Sequence, residues 1–246
     1  MMLSVVNYFV KLTCYTFCGG KLKNILKEAE KDMFHPTDAK SKEIMTRTMR
    51  IWRIIFRFYM TTCISVVSLW AACAFITNND IALPFGYWYP FDVSSSPVYE
   101  IVFFFEVIGI LLMVISHVTL DVSVAGIMAF IIGQINILND NLRNINSKDE
   151  IAVNTQIRCF ILHRNIKRLV TKLNEMLMFP MFIQSTMGAA ILCTAMYKLS
   201  KVPFLSGQGL SYIAYYVAMI TQLSLHFWYG NEVIAKVRLN IIYSVE

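Results

Sequence analysis

The residues that carry out most protein chemistry are scattered along this chain, and none falls into a catalytic spacing. The four histidines lie in different segments and form no His-Glu-x-x-His run, so no metal site is predicted. The chain has no Gly-x-Ser-x-Gly nucleophile motif, no Cys-x-x-Cys pair and no Gly-rich phosphate-binding loop. The sequence therefore predicts neither an enzyme nor a bound cofactor.

The elements that position these residues are long and apolar. Hydrophobic residues make up 57% of the 246 residues and charged residues only 15%, against about 25% charged in soluble proteins. A helix crosses the hydrocarbon core of a bilayer with about 20 apolar residues. We predict an all-α membrane protein, a single helical bundle of about five transmembrane helices, with spans over residues 1–18, 54–76, 101–121, 176–198 and 209–229.

Positive charge is concentrated in two segments. Ten of the 22 Lys and Arg residues lie between Lys21 and Arg57 and seven lie between Arg143 and Lys172, whereas residues 77–98 contain none. Cytoplasmic loops of membrane proteins are enriched in Lys and Arg, so both basic segments are predicted to face the cytoplasm. The basic residues flank apolar spans and are interleaved with acidic ones. The net charge of +6 therefore indicates topology and attraction to the lipid bilayer, and no nucleic-acid partner is expected.

The third apolar stretch is too long for one crossing. Residues 101–137 would form about 55 Å of helix against about 30 Å of hydrocarbon, so the helix should leave the membrane near His117–Asp121 and place Asp121 at the inner interface. Beyond that point apolar residues recur at spacings of three and four, the pattern of an amphipathic helix. The pattern continues in two groups, Ile131, Ile135, Leu138, Leu142 and Ile145, then Ile157, Ile161, Leu169, Leu173 and Met176.

Such an apolar face outside the membrane must be buried. We therefore predict inner helical extensions over residues 122–175, which form a small cytoplasmic helical domain or a contact between subunits. The alternative is a pair of helices lying on the lipid headgroups.

The segment between the second and third spans is aromatic and rich in proline. Three prolines restrict its backbone, and four aromatic residues are typical of the membrane interface. They are Pro84, Pro90 and Pro97, and Tyr87, Trp88, Tyr89 and Phe91. This composition favours a stiff outer loop that acts as a lid or an anchor.

Two sequence strings carry a resemblance to a known family. The outer loop reads Leu83-Pro84-Phe85-Gly86-Tyr87-Trp88-Tyr89-Pro90-Phe91-Asp92, followed by Ser96-Pro97-Val98-Tyr99-Glu100. The last span ends Gln222-Leu223-Ser224-Leu225-His226-Phe227-Trp228-Tyr229-Gly230-Asn231-Glu232. In order and position both strings resemble insect odorant receptors of the seven-helix, inverted-topology type. Further agreement comes from Asp121, His163, Gln184 and Cys193.

The resemblance implies a ligand-gated cation channel in the plasma membrane of olfactory sensory neurons. Each subunit would bind a small volatile odorant and assemble with a co-receptor subunit. Asp121 and His163 would then be structural or gating residues on the inner side. The resemblance also implies that the chain starts within the second helix of the family and stops before the seventh, as expected of an incomplete gene model or a truncated gene.

A pocket for volatiles should be aromatic and aliphatic with few polar groups. On the third span Phe104, Val107, Ile108 and Leu111 share one helical face, and the second and fifth spans supply further aromatic residues. We predict a ligand pocket formed by Val66, Trp70, Val107, Leu111, Tyr212 and Tyr215. Each of these side chains could instead pack in the core or face lipid.

The sequence is also compatible with two other functions. The chain could be a shortened, non-conducting subunit that modulates intact receptors or fails to assemble. It could also be a gustatory-type receptor, since the residues that distinguish that type lie in the last helix.

Overall fold

All regular secondary structure in the described part of the chain is helical. The computed structural model describes residues 2–31, 34–36, 38–76, 88–93, 95–143, 150–203 and 206–243, and within them there are five α-helices and no β-strand. The helices are α1 (Met2–Ala29), α2 (Ala39–Ile76), α3 (Val98–Arg143), α4 (Glu150–Leu199) and α5 (Gly207–Tyr243). The helical fold class predicted from the apolar stretches is confirmed.

Two helices are much longer than one membrane crossing requires. α3 has 46 residues and α4 has 50, against about 20 for one crossing. α3 continues without interruption through Asp121 to Arg143, which is the continuation that the amphipathic pattern predicts. Residues 144–149, which include Ile145 of that pattern, lie outside the described residues.

Three helices are long and apolar enough to cross a membrane, considering only the described residues. The qualifying stretches are Ala39–Ala72, Val98–Arg143 and Gln156–Leu199, on α2, α3 and α4. The spans predicted over residues 1–18 and 209–229 fall on α1 and α5. Within α1, Asn7 and Lys11 are only 2% and 4% exposed, so these polar side chains are packed against protein.

The chain divides into two compact units, and each helix contributes one part to each unit. The first unit comprises Met1–Phe9, Phe56–Val122 and Ser185–Ser224, and the second comprises Val10–Ile55, Ser123–Gln184 and Leu225–Glu246. The core of the first unit includes Tyr59, Val67, Val118 and Ile191, each at most 3% exposed.

The core of the second unit includes the apolar stripe that the sequence predicts on α3. The stripe predicted on α4 is only partly buried. Ile131, Ile135 and Leu138 of α3 are at most 1% exposed, as expected for the predicted buried face. On α4, however, Ile157 and Ile161 are 53% and 40% exposed. Leu169, Leu173 and Met176 of the predicted pattern are buried, as expected. From them the buried line of α4 continues toward the start of the helix at spacings of three and four through Ile166, Leu162 and Cys159.

Polar contacts join pairs of helices in the second unit. Lys172 of α4 lies 2.5 Å from a Glu28 carboxylate oxygen of α1, and Lys40 of α2 lies 2.6 Å from Asp140 of α3. The side-chain amide of Gln134, only 2% exposed, donates a 2.7 Å hydrogen bond to the backbone carbonyl of Phe34. The two ion pairs are partly exposed to solvent and contribute little to stability, whereas the buried Gln134 amide would be costly to leave unpaired.

Candidate ligand-binding cavity

The first unit contains a cavity of about 110 Å³ that all five helices line. Most of its walls are aliphatic, aromatic or sulfur-containing, which is the composition expected of a site for an apolar small molecule. The apolar and aromatic lining residues are Val5, Tyr59, Cys63, Val66, Val67, Trp70, Ile110, Met113, Val114, Val118, Ile191, Tyr215, Ala218 and Met219. The more polar lining residues are Ser4, Asn7, His117 and Gln222.

The residues that line the cavity extend along the helix axes. The lining residues of α2 extend from Tyr59 to Trp70, a rise of about 16 Å at 1.5 Å per residue. Aromatic side chains lie at the Trp70 end, and polar side chains of α3 and α5 lie at the Tyr59 end. We refer to these as the aromatic end (Trp70 and Tyr215) and the polar end (His117 and Gln222).

The aromatic end is formed by two stacked rings from different helices. The Trp70 and Tyr215 ring centroids are 5.6 Å apart with 25° between the ring planes, a separation within the range of favourable aromatic pairs. The Ser4 hydroxyl oxygen lies 2.7 Å from the Tyr215 hydroxyl oxygen. This hydrogen bond fixes the tyrosine ring, so the aromatic wall is held by α1, α2 and α5 together.

The polar end is a buried hydrogen-bonded cluster. The side-chain amide nitrogen of Gln222 donates to Asp121 Oδ2 at 3.0 Å and lies 2.6 Å from His117 Nε2. His117 Nε2 is itself 3.5 Å from Asp121 Oδ2. The ring of Tyr8 stacks on the His117 ring with centroids 5.9 Å apart. Side chains from α1, α3 and α5 therefore fix the orientation of both cavity-lining polar groups.

The burial of Asp121 corrects the expectation that this residue avoids burial by lying at the inner interface. Its side chain is 0% exposed and is contacted by Gln222 and His117. A buried carboxylate is costly unless it is paired and hydrogen-bonded. The sequence could not show this pairing, because Gln222 lies 101 positions away along the chain.

The structure brings together three of the six residues that the sequence predicted for the pocket. Val66, Trp70 and Tyr215 line the cavity, with Val66 only 5% exposed. Val107, Leu111 and Tyr212 do not line it. That any of the six contacts a ligand remains a prediction.

The face of α3 that the sequence favoured is turned away from the cavity. Phe104 and Ile108, which belong to that predicted face, are 62% and 55% exposed. The lining positions of α3 are instead Ile110, Met113, Val114, His117 and Val118. In a membrane helix the lipid-facing side is as apolar as the interior, so hydrophobicity alone does not distinguish the two faces.

Sequence reasoning missed His117 and Gln222 as cavity residues, although a usable indication was present. Polar residues within apolar spans usually face the protein interior. His117 and Asp121 are four residues apart and therefore lie on one face of α3. That spacing identifies the face of α3 that points into the protein. The apolar residues around it do not identify that face, because they occur on all sides of the helix.

The segment before α3 also contacts a buried carboxylate in the first unit. The Tyr89 hydroxyl donates to Glu106 Oε1 at 3.1 Å, and Glu106 is 3% exposed. This contact ties one aromatic residue of the predicted outer loop to α3. The preceding part of that loop, including Pro84 and Tyr87, lies outside the described residues.

Long apolar helices define the chain as an all-α membrane protein. A family model described as 7tm Odorant receptor matches residues 5–238. The chain therefore belongs to the seven-transmembrane odorant receptor family, a family of receptors and not of enzymes.

Two curated relatives show how much of a receptor the chain represents. The chain is similar to odorant receptor 94a of Drosophila melanogaster, at 27% identity over 192 residues, covering 76% of this chain and 49% of that protein. It is also similar to odorant receptor Or1 of Anopheles gambiae, at 18% identity, covering 95% of this chain and 62% of that protein. The chain thus spans about half to three-fifths of the length of these relatives.

Solved structures share the fold. The chain resembles the insect olfactory receptor OR5 from Machilis hrabei with a TM-score of 0.80 and 15% identity, covering 95% of this chain and 62% of that one. It resembles the same receptor in complex with eugenol with a TM-score of 0.63 and 14% identity. At this level of identity the likeness establishes a common helical fold.

Proposed function

We propose that this chain is an odorant receptor subunit whose first unit binds a small volatile ligand in the cavity between Trp70 and His117. Together with a co-receptor subunit, ligand binding would favour the open state of a cation channel in the plasma membrane of olfactory sensory neurons. The observation that carries the proposal is the apolar, aromatic-walled cavity in a chain of this family.

The size of the cavity sets the size of the ligand. Its volume is about 110 Å³, and an apolar protein cavity of about 150 Å³ is known to take up benzene. The cavity therefore suits a single ring or a short hydrocarbon chain. Supporting this reading, the solved OR5 receptor is described in complex with eugenol, a small aromatic molecule.

The arrangement of the lining residues supports a role in gating. A ligand shifts a closed-to-open equilibrium only if it binds the two states with different affinities. Because all five helices line the cavity, a change in how these helices pack alters the contacts that a bound ligand makes. Opening and ligand affinity are thereby coupled without a direct contact between the ligand and the pore.

A cavity-filling substitution tests ligand binding. The chain, reconstituted in lipid nanodiscs, is titrated with a panel of small volatiles that includes 1-pentanol, pentane and eugenol. Val66→Trp fills the cavity and should abolish saturable binding, because a packed interior does not accommodate a larger side chain and a ligand together. Ile64→Trp is the matched control, since Ile64 lies on the same helix and is 38% exposed. The proposal is wrong if no member of the panel binds saturably, or if Val66→Trp binds them as well as the parent chain.

Electrophysiology tests the gating step. The chain is co-expressed with a co-receptor subunit, and currents are recorded while a volatile that binds in the nanodisc assay is applied. We expect an evoked current that Val66→Trp eliminates and Ile64→Trp retains. A current that is identical in all three chains would contradict a role for this cavity in gating.

A further inference from the structure

We propose that the cavity selects ligands that carry a hydroxyl head group, with the ligand oxygen beside the His117–Gln222 pair and its hydrocarbon part toward Trp70. This inference rests on the proposed function, because it assigns the ligand class of the same cavity. It is carried by the buried polar cluster at one end of an otherwise apolar site.

The two ends of the cavity differ in what they offer a ligand. At the aromatic end, the hydroxyls of Ser4 and Tyr215 are hydrogen-bonded to each other at 2.7 Å. At the polar end, His117 and Gln222 line the cavity. Asn7 also lines it and directly precedes Tyr8, which stacks on His117, so it adds an amide near the same end. The asymmetry orients a ligand that has one polar terminus.

The chemistry of the polar end matches a hydroxyl group. The amide nitrogen of Gln222 already donates to Asp121 Oδ2 and lies against His117 Nε2, so the part of the amide that can serve a ligand is its carbonyl oxygen, an acceptor with two lone pairs. A hydroxyl group can donate a hydrogen bond to this oxygen. An alkane makes no hydrogen bond with either side chain. An alcohol of the same chain length should therefore bind more tightly than the alkane.

Asp121 acts as a positioning residue behind this end. It accepts a hydrogen bond from the amide nitrogen of Gln222 at 3.0 Å, which sets the orientation of the Gln222 amide. It does not itself line the cavity. A carboxylate ligand would carry its charge into this apolar cavity, and burying a charge is costly. A carboxylate ligand should therefore be excluded.

The experiment compares three probes with the same five-carbon chain. Affinities for 1-pentanol, pentane and pentanoate are measured on the full chain in nanodiscs, and the signal of Val66→Trp is subtracted as partition into lipid. Hydrogen bonds to buried groups should favour 1-pentanol over pentane by about tenfold. Pentanoate should show no saturable binding.

Substitutions at the polar end test the assignment. Gln222→Met preserves side-chain length and His117→Phe preserves a ring against Tyr8, and each should bring the ratio of alcohol to alkane affinity close to one. Because Gln222→Met also removes a partner of Asp121, His117→Phe provides the second test if that variant fails to fold. Asp121→Ala, which removes the acceptor that orients the Gln222 amide, should lower the ratio of alcohol to alkane affinity. The matched control is Gln134→Met, a glutamine 2% exposed in the second unit, which should keep the parental ratio.

The outcomes separate the two levels of the proposal. Equal affinities for 1-pentanol and pentane, both lost in Val66→Trp, would overturn the ligand class while leaving the cavity as a binding site. A preference for the alcohol that survives in both His117→Phe and Gln222→Met would also overturn the ligand class. Absence of saturable binding for every probe would overturn both the ligand class and the proposed function.

Discussion

The side-chain amide nitrogen of Gln222 lies 3.0 Å from a carboxylate oxygen of Asp121, so that α5 and α3 are joined across 101 positions of sequence. Both side chains are buried, at 3% and 0% exposure. The contact pairs a carboxylate that would be costly to bury alone. It also fixes one wall of the cavity, and in this way links the stability of the first unit to the shape of its candidate site.

Loss of the Asp121 carboxylate should destabilise the chain. Asp121→Ala leaves a buried donor of Gln222 without its acceptor, and we expect the free energy of unfolding to fall by about 1–3 kcal/mol. Thermal unfolding of the detergent-solubilised chain measures the effect. Ser116→Ala is the control, because its exposed hydroxyl bonds only within its own helix, to the Leu112 carbonyl. Equal melting temperatures for the two variants would contradict a stabilising role of the Asp121 contact.

Gly188 allows a close approach of α4 and α5. A Cβ atom added at this position would lie 2.9 Å from Leu223 Cδ2, so the end of the Leu223 side chain must shift to make room. Because a leucine side chain can move, Gly188→Ala should lower the free energy of unfolding by only about 1 kcal/mol, and the added substitution Leu223→Ala should restore part of the loss.

Gly109 provides the matched control for that experiment. A Cβ atom at Gly109 would meet nothing within 4 Å, so Gly109→Ala should be neutral or slightly stabilising, as expected of alanine in a helix. Both variants are compared by thermal unfolding. If Gly109→Ala were as destabilising as Gly188→Ala, the close helix approach would not be the cause.

The ion pair between Glu28 and Lys172 should make stability depend on pH. The hydrogen bond from Lys172 is the main cause that lowers the pKa of Glu28 from its ordinary value of 4.5, and the charge of Arg168 adds to it. The charged carboxylate is thus favoured in the folded chain. Its contribution is present above pH 4.5 and is lost as the pH falls through the lowered pKa of the folded state.

Glu28→Gln tests this dependence. At pH 7 the variant should be less stable than the parent chain by at most about 1 kcal/mol, because the pair is partly exposed to solvent. The two chains should converge in stability at acid pH, as measured by thermal unfolding. Glu30→Gln, which changes a nearby exposed carboxylate, should show a smaller difference. A difference for Glu28→Gln that does not change with pH would contradict the ion pair as its source.

Substitution of a residue that lines the cavity should lower ligand affinity more than substitution of a predicted pocket residue that does not line it. Trp70→Ala removes the ring that stacks on Tyr215 and should weaken binding of a volatile by at least about tenfold, given the contact area of an indole ring. Leu111→Ala, at a predicted position outside the lining, should change the affinity less than threefold, as expected of a residue without ligand contact. Titration in nanodiscs measures both, and a larger loss for Leu111→Ala would place the ligand elsewhere.

Within the candidate site, residue type does not decide which predicted residues line the cavity. Of the aromatic residues, Trp70 and Tyr215 line it and Tyr212 does not. Of the aliphatic residues, Val66 lines it, whereas Val107 and Leu111 do not. A helix in lipid can turn its apolar residues outward at little cost, so their hydrophobicity does not determine the direction in which they point.

The helical class, the continuation of α3 beyond Asp121 and the family can be predicted from the sequence, because apolar length, three-to-four spacing and ordered motifs are all local along the chain. The rotation of each helix about its axis and the pairing of polar side chains become visible only in the folded chain. Asp121 was expected at an interface, yet it is buried against Gln222 and His117. Such pairings depend on contacts between residues about 100 positions apart, and these form only when the helices pack.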